Sequence, residues 1–349
     1  MRNKKSTVLI AVVLLILLTA GCAKQPQTQE GSTDAKENLS GSNYTIAISQ
    51  FAEHPALEQC RMGFLEELAK AGIVEGENLT LVYQNAGAEK ERAKLTATSF
   101  SSTDQDLIYC IGSTSAGTML SAVRGKGTPI VFAGVSNPVA AELTDKDGVQ
   151  RDQITGISSS QNVKDQLGMI HRILPDAKKV GIIYSEKEDN SLAEVEQLRF
   201  AISQYDMQLV LKPVGTVHDA AAAADALLTE ADCILNIQDN LVTSQLSVLL
   251  EKAMQRQIPV FGSDKSQAEA GCLLAQGTDY QKAGREAAKL AIQILKGEKK
   301  ASQLPIMNYE CSDVYVNQKV ADELGITLPE TVLKEAEEIF DTTTEETGE

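Results

Sequence analysis

Two stretches of this chain open in the same way, and that repeat limits the fold more than any other feature. IAISQFAEHPALEQCRMGFLEELAKAG from Ile46 and VGIIYSEKEDNSLAEVEQLRFAISQYD from Val180 each read as a strand, a polar loop and a helix of about four turns. Around the first, strands are expected at 44–50, 79–83, 106–111 and 129–133, with helices starting at Pro55 and covering 89–100 and 114–123. After Ile154-Thr155-Gly156 the alternation resumes, with strands at 180–184, 208–212, 232–237 and 259–261 and helices near 190–205, 217–229 and 242–256. Strands alternating with helices at this spacing form parallel sheets covered on both faces. The fold class is therefore α/β, with two similar doubly wound parallel-sheet lobes.

In such sheets ligands sit beyond the carboxyl ends of the strands, and between two lobes those ends can face one cleft. The strand-end loops are 51–55, 112–115 and 135–138 in the first half, and 185–191, 238–242 and 262–266 in the second. In DLIYCIGSTSAGTM, beginning at Asp106, an apolar strand breaks into Gly112, Ser113, Thr114 and Ser115 at a helix start. The first turn of a helix leaves backbone N–H groups unpaired and carries partial positive charge, which suits an anionic ligand group. Acids recur in the same loops at Glu53, Glu186, Glu188, Asp189, Asp239 and Asp264. Hydroxyls with helix starts suit a carboxylate and a buried acid suits an ammonium, so a zwitterion such as an amino acid satisfies both. Taken singly, each acid is more often a helix cap or a solvated charge, and Asp239 is the clearest cap candidate.

At the N-terminus, Arg2, Lys4 and Lys5 precede the apolar run 8–18, too short to span a membrane but suited to a signal-peptide core. It ends in Leu18-Thr19-Ala20-Gly21-Cys22, which resembles the lipobox of bacterial lipoproteins. By that resemblance residues 1–21 are a signal peptide, Cys22 is lipidated, and the protein is held at the outer side of the cell membrane by acyl chains alone. Residues 22–43, polar and poor in apolar side chains, read as a tether. The formal net charge is −16, and losing the three signal cations makes it more negative still. Such a surface repels nucleic acid and anionic lipid. Cys60, Cys110, Cys233, Cys272 and Cys311 have no CxxC spacing and read as buried thiols; His54, His171 and His218 never pair at helical spacing, so no histidine metal site is expected. The chain lacks GxGxxG after its first strand, GxxxxGK[ST] and GxSxG, which argues against an enzyme. Residues 330–349, acidic apart from Lys334, read as a short helix fraying into a tail.

QFAEHPALEQCRMGFLEELAKAG, GENLTLVYQNA, IGSTSAG, GVSNPVAA, ITGIS, YSEKEDNS, QDN and GTDYQKAGREAAKLAIQILKGE together resemble the ABC-transporter substrate-binding lipoproteins of the tryptophan/tyrosine-binding type, over about 44–326. The resemblance implies a type I periplasmic-binding fold, with a three-crossover hinge near 154–158, 277–279 and 309–313. Residues 44–154 plus 279–308 would form the first lobe, and 155–278 plus 309–329 the second. It also implies a small-molecule ligand held by Ser113, Thr114, Ser115, Ser136 and Asn137 from one lobe. From the other it is held by Asn190, Ser191, Asp239, Asn240 and Asp264, with Phe51, Glu53 and Pro55 shaping the wall. No catalytic residue, cofactor or metal is implied. The partners are an ABC permease and its ATPase, or, on a second reading, a signalling receptor that senses the same closure. Two departures bear on specificity: many relatives carry Asp where this chain has Asn137, and Thr-Pro or Ser-Pro where it has Thr114-Ser115. With no Trp in the chain, stacking on a ligand would rest on Phe51, Tyr184, Phe261 or Tyr280.

Overall fold

The computed structural model describes residues 43–151, 153–309 and 312–341. The expected signal peptide, Cys22, the tether up to 42, Cys311 and the last part of the acidic tail lie outside the described residues.

The first lobe runs β1 (Tyr44–Gln50), α1 (Pro55–Lys70), β2 (Leu79–Asn85), α2 (Lys90–Ser101), β3 (Leu107–Ile111), α3 (Ser113–Ala122), β4 (Ile130–Val135) and β5 (Ile154–Ser158). The second runs α4 (Val163–Ile173), β6 (Lys179–Ser185), α5 (Asp189–Ala201), β7 (Gln208–Val214), α6 (Val217–Leu227), β8 (Cys233–Leu235), α7 (Asn240–Thr243), α8 (Leu246–Gln255), β9 (Val260–Asp264), α9 (Lys265–Ala270) and β10 (Leu274–Thr278). The chain then returns to the first lobe with α10 (Tyr280–Leu295) and β11 (Met307–Asn308). It ends in the second with β12 (Asp313–Asn317), α11 (Gln318–Glu323), α12 (Glu330–Glu335) and β13 (Ala336–Phe340). Strand order is β11-β5-β4-β3-β1-β2 in one sheet and β13-β12-β10-β9-β8-β6-β7 in the other; among the described strands the β12–β10 pair is antiparallel and the rest are parallel. Three crossovers join the lobes: after β5, between β10 and α10, and between β11 and β12.

Each sheet is buried on both faces, which is why central strands such as Leu107–Ile111 and Cys233–Leu235 are continuous apolar runs, buried throughout. The outer strands β2 and β7 are only partly buried, and Pro213 sits in β7, an edge where a missing N–H leaves no central ladder broken. Helices α1 and α10 cover one face of the first sheet and approach closely through glycines. A Cβ on Gly63 would lie 2.0 Å from the Gln281 carbonyl oxygen, and one on Gly284 would lie 2.1 Å from that of Cys60. Beneath them Phe64 stacks on Tyr109, ring centroids 3.8 Å apart.

Three details differ from the sequence expectation. Ile154–Ser158 pairs with β4, so the first lobe continues to Ser158 rather than ending at 154. The helix expected over 242–256 is two helices, α7 and α8, broken at Ser244 and Gln245. The expected tail is ordered as far as Phe340: β13 adds a parallel edge strand to β12. Its acids are offset by cations of the second lobe, Arg172 on Glu335 at 2.8 Å and Lys265 on Glu338 at 2.6 Å. Cys60, Cys110, Cys233 and Cys272 are buried free thiols, and burial raises all four pKa values.

Candidate functional site

The carboxyl ends of both sheets face one cleft. On the first-lobe side, β3 turns into α3 at Gly112, whose φ of 97° is left-handed and whose Cβ, if it had one, would stand 3.0 Å from that of Phe51. No side chain caps α3, and Ser113, Thr114 and Ser115 in its first turn are all buried. Ser115 is committed inward: its Oγ lies 2.6 Å from Ser49 Oγ and donates to the Ser49 carbonyl at 2.8 Å. Asn137, after β4, accepts the Ala140 N–H at 3.0 Å and so braces its own turn.

The second-lobe side is lined with buried acids, and nearly all their oxygens are spent on loop backbone and neighbouring side chains. Asp239 accepts the Val242 N–H as the cap of α7 and the Ser185 N–H from the end of β6. Glu188 accepts the Asn240 N–H, the Leu241 N–H and, at 2.5 Å, the Asn240 side-chain amide. Asp264 caps α9 through the Gln267 N–H and also accepts the Ser266 hydroxyl and the Gln267 amide. Glu194, one turn into α5, differs. Its Oε2 accepts the Gln238 N–H at 3.2 Å, and its Oε1 has no partner among the described residues. Burial pushes Glu188 up to about 8, helped by the charge of Asp239, and it pushes Glu194 to about 8 and Asp264 to about 6; it raises Asp239 as well.

Among the described residues, three side-chain hydrogen bonds or ion pairs cross the cleft. His54 Nε2 lies 3.2 Å from Asn240 Oδ1. Because Asn240 donates its amide to Glu188, its oxygen is left to accept, so His54 carries its proton on Nε2 and its buried Nδ1 remains unpartnered. Desolvation lowers the pKa of this imidazole to about 4. Gln238 donates to the Tyr280 hydroxyl at 2.8 Å, and at the rim Lys90 pairs with Asp189 at 3.4 Å. Between these contacts lies a cavity of about 20 Å³, lined by His54, Ser113, Ser136, Asn190, Asp239, Asn240, Asp264 and Tyr280 among others. It shares Ser136, Asn190 and Gln238 with a second, of about 30 Å³, which Asn137 and Glu194 also line. Each has room for about one water, so an amino acid enters only as the lobes part. A vestibule of about 210 Å³ between α3 and α5 opens onto Ser113, Thr114 and Asn190.

The structure thus brings Ser113, Thr114, Ser136, Asn137, Asn190, Asp239, Asn240 and Asp264 onto one set of connected spaces. Gly112, Ser115 and Ser191 lie just behind. Phe51 does not form a wall: its N–H pairs with the Ile111 carbonyl and its ring packs in the first-lobe core. Glu53 and Pro55 are exposed, as are the acids Glu186 and Asp189, and none of the four lines the two cavities. Of the four aromatic residues considered for stacking, Tyr280 alone lines a cavity; Phe261 and Tyr184 pack in or against the second-lobe core. Glu194 was missed because it follows its loop by a full turn. The signal for it was helical spacing: it stands four residues after Asn190, on the same face of α5.

Residues 45–340 match the family model described as ABC transporter substrate binding protein. The chain belongs to this family. Its members bind solutes for ABC transporters and are not enzymes, and the two crossover-linked lobes are the type I periplasmic-binding fold. The chain is 29% identical over 324 residues to a protein named tyrosine-binding protein from Clostridioides difficile, covering 93% of each. Among solved structures, it resembles an ABC domain in complex with L-Trp from Streptococcus pneumonia (26% identity, TM-score 0.80, 86% of this chain and 100% of that one). It also resembles the ligand-free, open structure of a substrate-binding protein with adhesive properties from Clostridium difficile (30% identity, TM-score 0.62, again 86% and 100%). The lower score at the higher identity fits lobes that are in contact, as the pairs His54–Asn240 and Gln238–Tyr280 require.

Proposed function

We propose that this substrate-binding protein is the lipid-anchored, extracytoplasmic subunit of an ABC importer, holding an amino acid with an aromatic or related side chain between its lobes and delivering it to the permease. The observation that carries the ligand class is the first turn of α3: buried, uncapped by any side chain, and directed at the other lobe. Its N–H groups and partial positive charge suit a ligand carboxylate, with the hydroxyls of Ser113, Thr114 and Ser136 beside it. The relatives' names, one binding tyrosine and one holding L-Trp, support an aromatic amino acid. Contacts made from both lobes at once favour the closed state, which the permease would then distinguish from the open one. The Ala20-Gly21-Cys22 junction supports the lipid anchor.

A thermal-shift screen of unfolded and refolded protein against the amino acids, nucleosides and small sugars tests the ligand. A concentration-dependent rise confined to tyrosine, tryptophan or close analogues is expected. A rise with a sugar or nucleoside alone refutes the amino-acid reading. Mass spectrometry of the membrane-extracted protein tests the anchor, through diacylglyceryl mass on a peptide starting at Cys22.

A further inference from the structure

We infer that Glu194, together with Asn190 and Gln238, forms a subsite for the ligand's ammonium group, on the second lobe and facing the turn that would take its carboxylate. This rests on the amino-acid reading above. Asn190 and Glu194 stand one helical turn apart on α5, and Gln238 comes from the loop after β8. All three line the same interlobe cavity, and all are at least nine-tenths buried, with 4%, 6% and 9% exposure. Each presents one oxygen without a hydrogen-bond partner among the described residues: Asn190 Oδ1, Glu194 Oε1 and Gln238 Oε1. The orientation of Asn190 is fixed, because its Nδ2 donates at 2.8 Å to the Gln238 carbonyl, which can only accept. Three residues lining one cavity therefore each hold an oxygen that no donor among the described residues meets.

Buried polar oxygens are ordinarily paired, and a set left unpaired in one cavity marks a place where a partner is supplied from outside. That partner is a donor: a water, for which the cavity has room, can serve while the lobes are closed without ligand, and a ligand cation serves best opposite a carboxylate. No lysine or arginine lines either cavity among the described residues, and the charge acting most directly on Glu194 is another acid, Asp239. An alkylammonium has three N–H donors, one for each oxygen. The other buried acids of the cleft cannot serve in the same way, since backbone and side-chain donors already occupy them. Asn137, on the same cavity, is neutral, so Glu194 is the carboxylate available there. Asn190 also borders the vestibule beside Ser113 and Thr114, so the two ends of a zwitterion fall on neighbouring spaces. The elevated pKa of Glu194 agrees with a carboxylate that lacks its counter-ion.

The test is calorimetric titration of the full chain and of its Glu194→Gln and Glu194→Asp variants. The probes are L-tyrosine and L-tryptophan, each paired with its des-amino acid, 3-(4-hydroxyphenyl)propanoate or indole-3-propanoate. Loss of a charge-assisted hydrogen bond should weaken amino-acid binding by about 10- to 100-fold in Glu194→Gln, with a smaller loss in Glu194→Asp, which keeps the charge. Binding of the des-amino acids should be weak and equal in all three proteins. Thermal unfolding of the variants separates lost binding from lost fold. Equal amino-acid affinity in the full chain and Glu194→Gln, or equal losses for amino and des-amino probes, overturns the subsite while leaving the amino-acid reading intact. Failure of the unsubstituted chain to prefer either amino acid over its des-amino form overturns both.

Discussion

His54 gives the most quantitative handle on how the two lobes hold together. It projects from the first lobe into the cleft, donates from Nε2 to Asn240 of the second, and is 8% exposed. In the unfolded chain its imidazole titrates at the ordinary 6.5, and in the folded protein desolvation holds it near 4; the hydrogen bond to Asn240 and the charge of Glu58 oppose that shift without overcoming it. Between those two values the unfolded chain binds a proton that the folded chain refuses. Stability therefore rises with pH across this window: the contribution is fully present above 6.5 and is lost as pH falls toward 4. At about pH 5 the unfolded imidazole is almost fully protonated and the folded one hardly at all, which works out at a loss of about 2 kcal/mol relative to pH 7.5.

The buried acids act in the opposite direction. Glu188 and Glu194, held near 8, and Asp264, near 6, keep protons in the folded protein that the unfolded chain has released, so their contribution falls as pH rises. The raw pH profile mixes the two trends, and His54→Gln separates them. Glutamine retains an N–H donor for Asn240 and cannot titrate. Urea unfolding of both proteins at about pH 7.5 and pH 5 should show their stability difference moving by about 2 kcal/mol, with the histidine protein losing more on acidification. A difference that stays constant across that range would mean the imidazole is solvated, and the burial argument would fail. Because Asn240 belongs to the opposite lobe, ligand affinity should weaken in the same window, and less so in the variant.

Three other perturbations follow from the contacts. Gly63→Ala gains about 1 kcal/mol of helix propensity, but its new methyl meets the Gln281 carbonyl at 2.0 Å and forces α1 and α10 apart. The net effect should be destabilisation by about 1–2 kcal/mol, visible as a thermal midpoint several degrees lower; an unchanged midpoint would count against the close helix contact. Asp264→Ala removes a helix cap and strands the Ser266 hydroxyl and the Gln267 amide, and should cost about 2–3 kcal/mol in urea unfolding, against less than about 0.5 for the exposed Asp189→Ala. Lys90→Ala breaks an ion pair across the cleft rim whose partners are 40% and 57% exposed, so ligand affinity should change by less than about threefold.

Much of the fold was legible in the sequence because burial on both sheet faces writes strands as unbroken apolar runs, as in Leu107–Ile111. Five strands, β5 and β10 to β13, escaped that signal, and two of them show why. β10 reads LAQGT, and its Gln276, Gly277 and Thr278 are buried by their position beside the crossover rather than by apolar character. β13 reads AEEIF among acids, and becomes a strand because β12 offers it a free edge and Arg172 and Lys265 meet its flanking carboxylates. Phe51 misled in the other direction. An aromatic residue in a strand-end loop suits a ligand wall, yet here the chain has not left the sheet region, and the ring fills the first-lobe core.

The cleft itself was legible as a place and not as a mechanism. Sequence position marks Asp239 and Asp264 as acids at strand ends, and both do line the cavity, but what an acid can offer a ligand depends on how many of its oxygens the loops have already taken. For Asp239, Glu188 and Asp264 both are taken: by the backbone where a strand-end loop turns into a helix, and, for one oxygen of Asp264, by the Gln267 side-chain amide. An acid can stay available only where the backbone is already satisfied. One turn inside α5, the helix pairs its own N–H groups, so Glu194 is asked for only one, from Gln238, and keeps an oxygen uncommitted. The loop acids therefore set the shape of the second-lobe rim, and the helical acid behind them keeps an oxygen that a ligand donor would meet. On that division of labour, replacing the Glu194 carboxyl should alter what the cleft binds while leaving its shape, whereas removing Asp239 or Asp264 should alter the shape first.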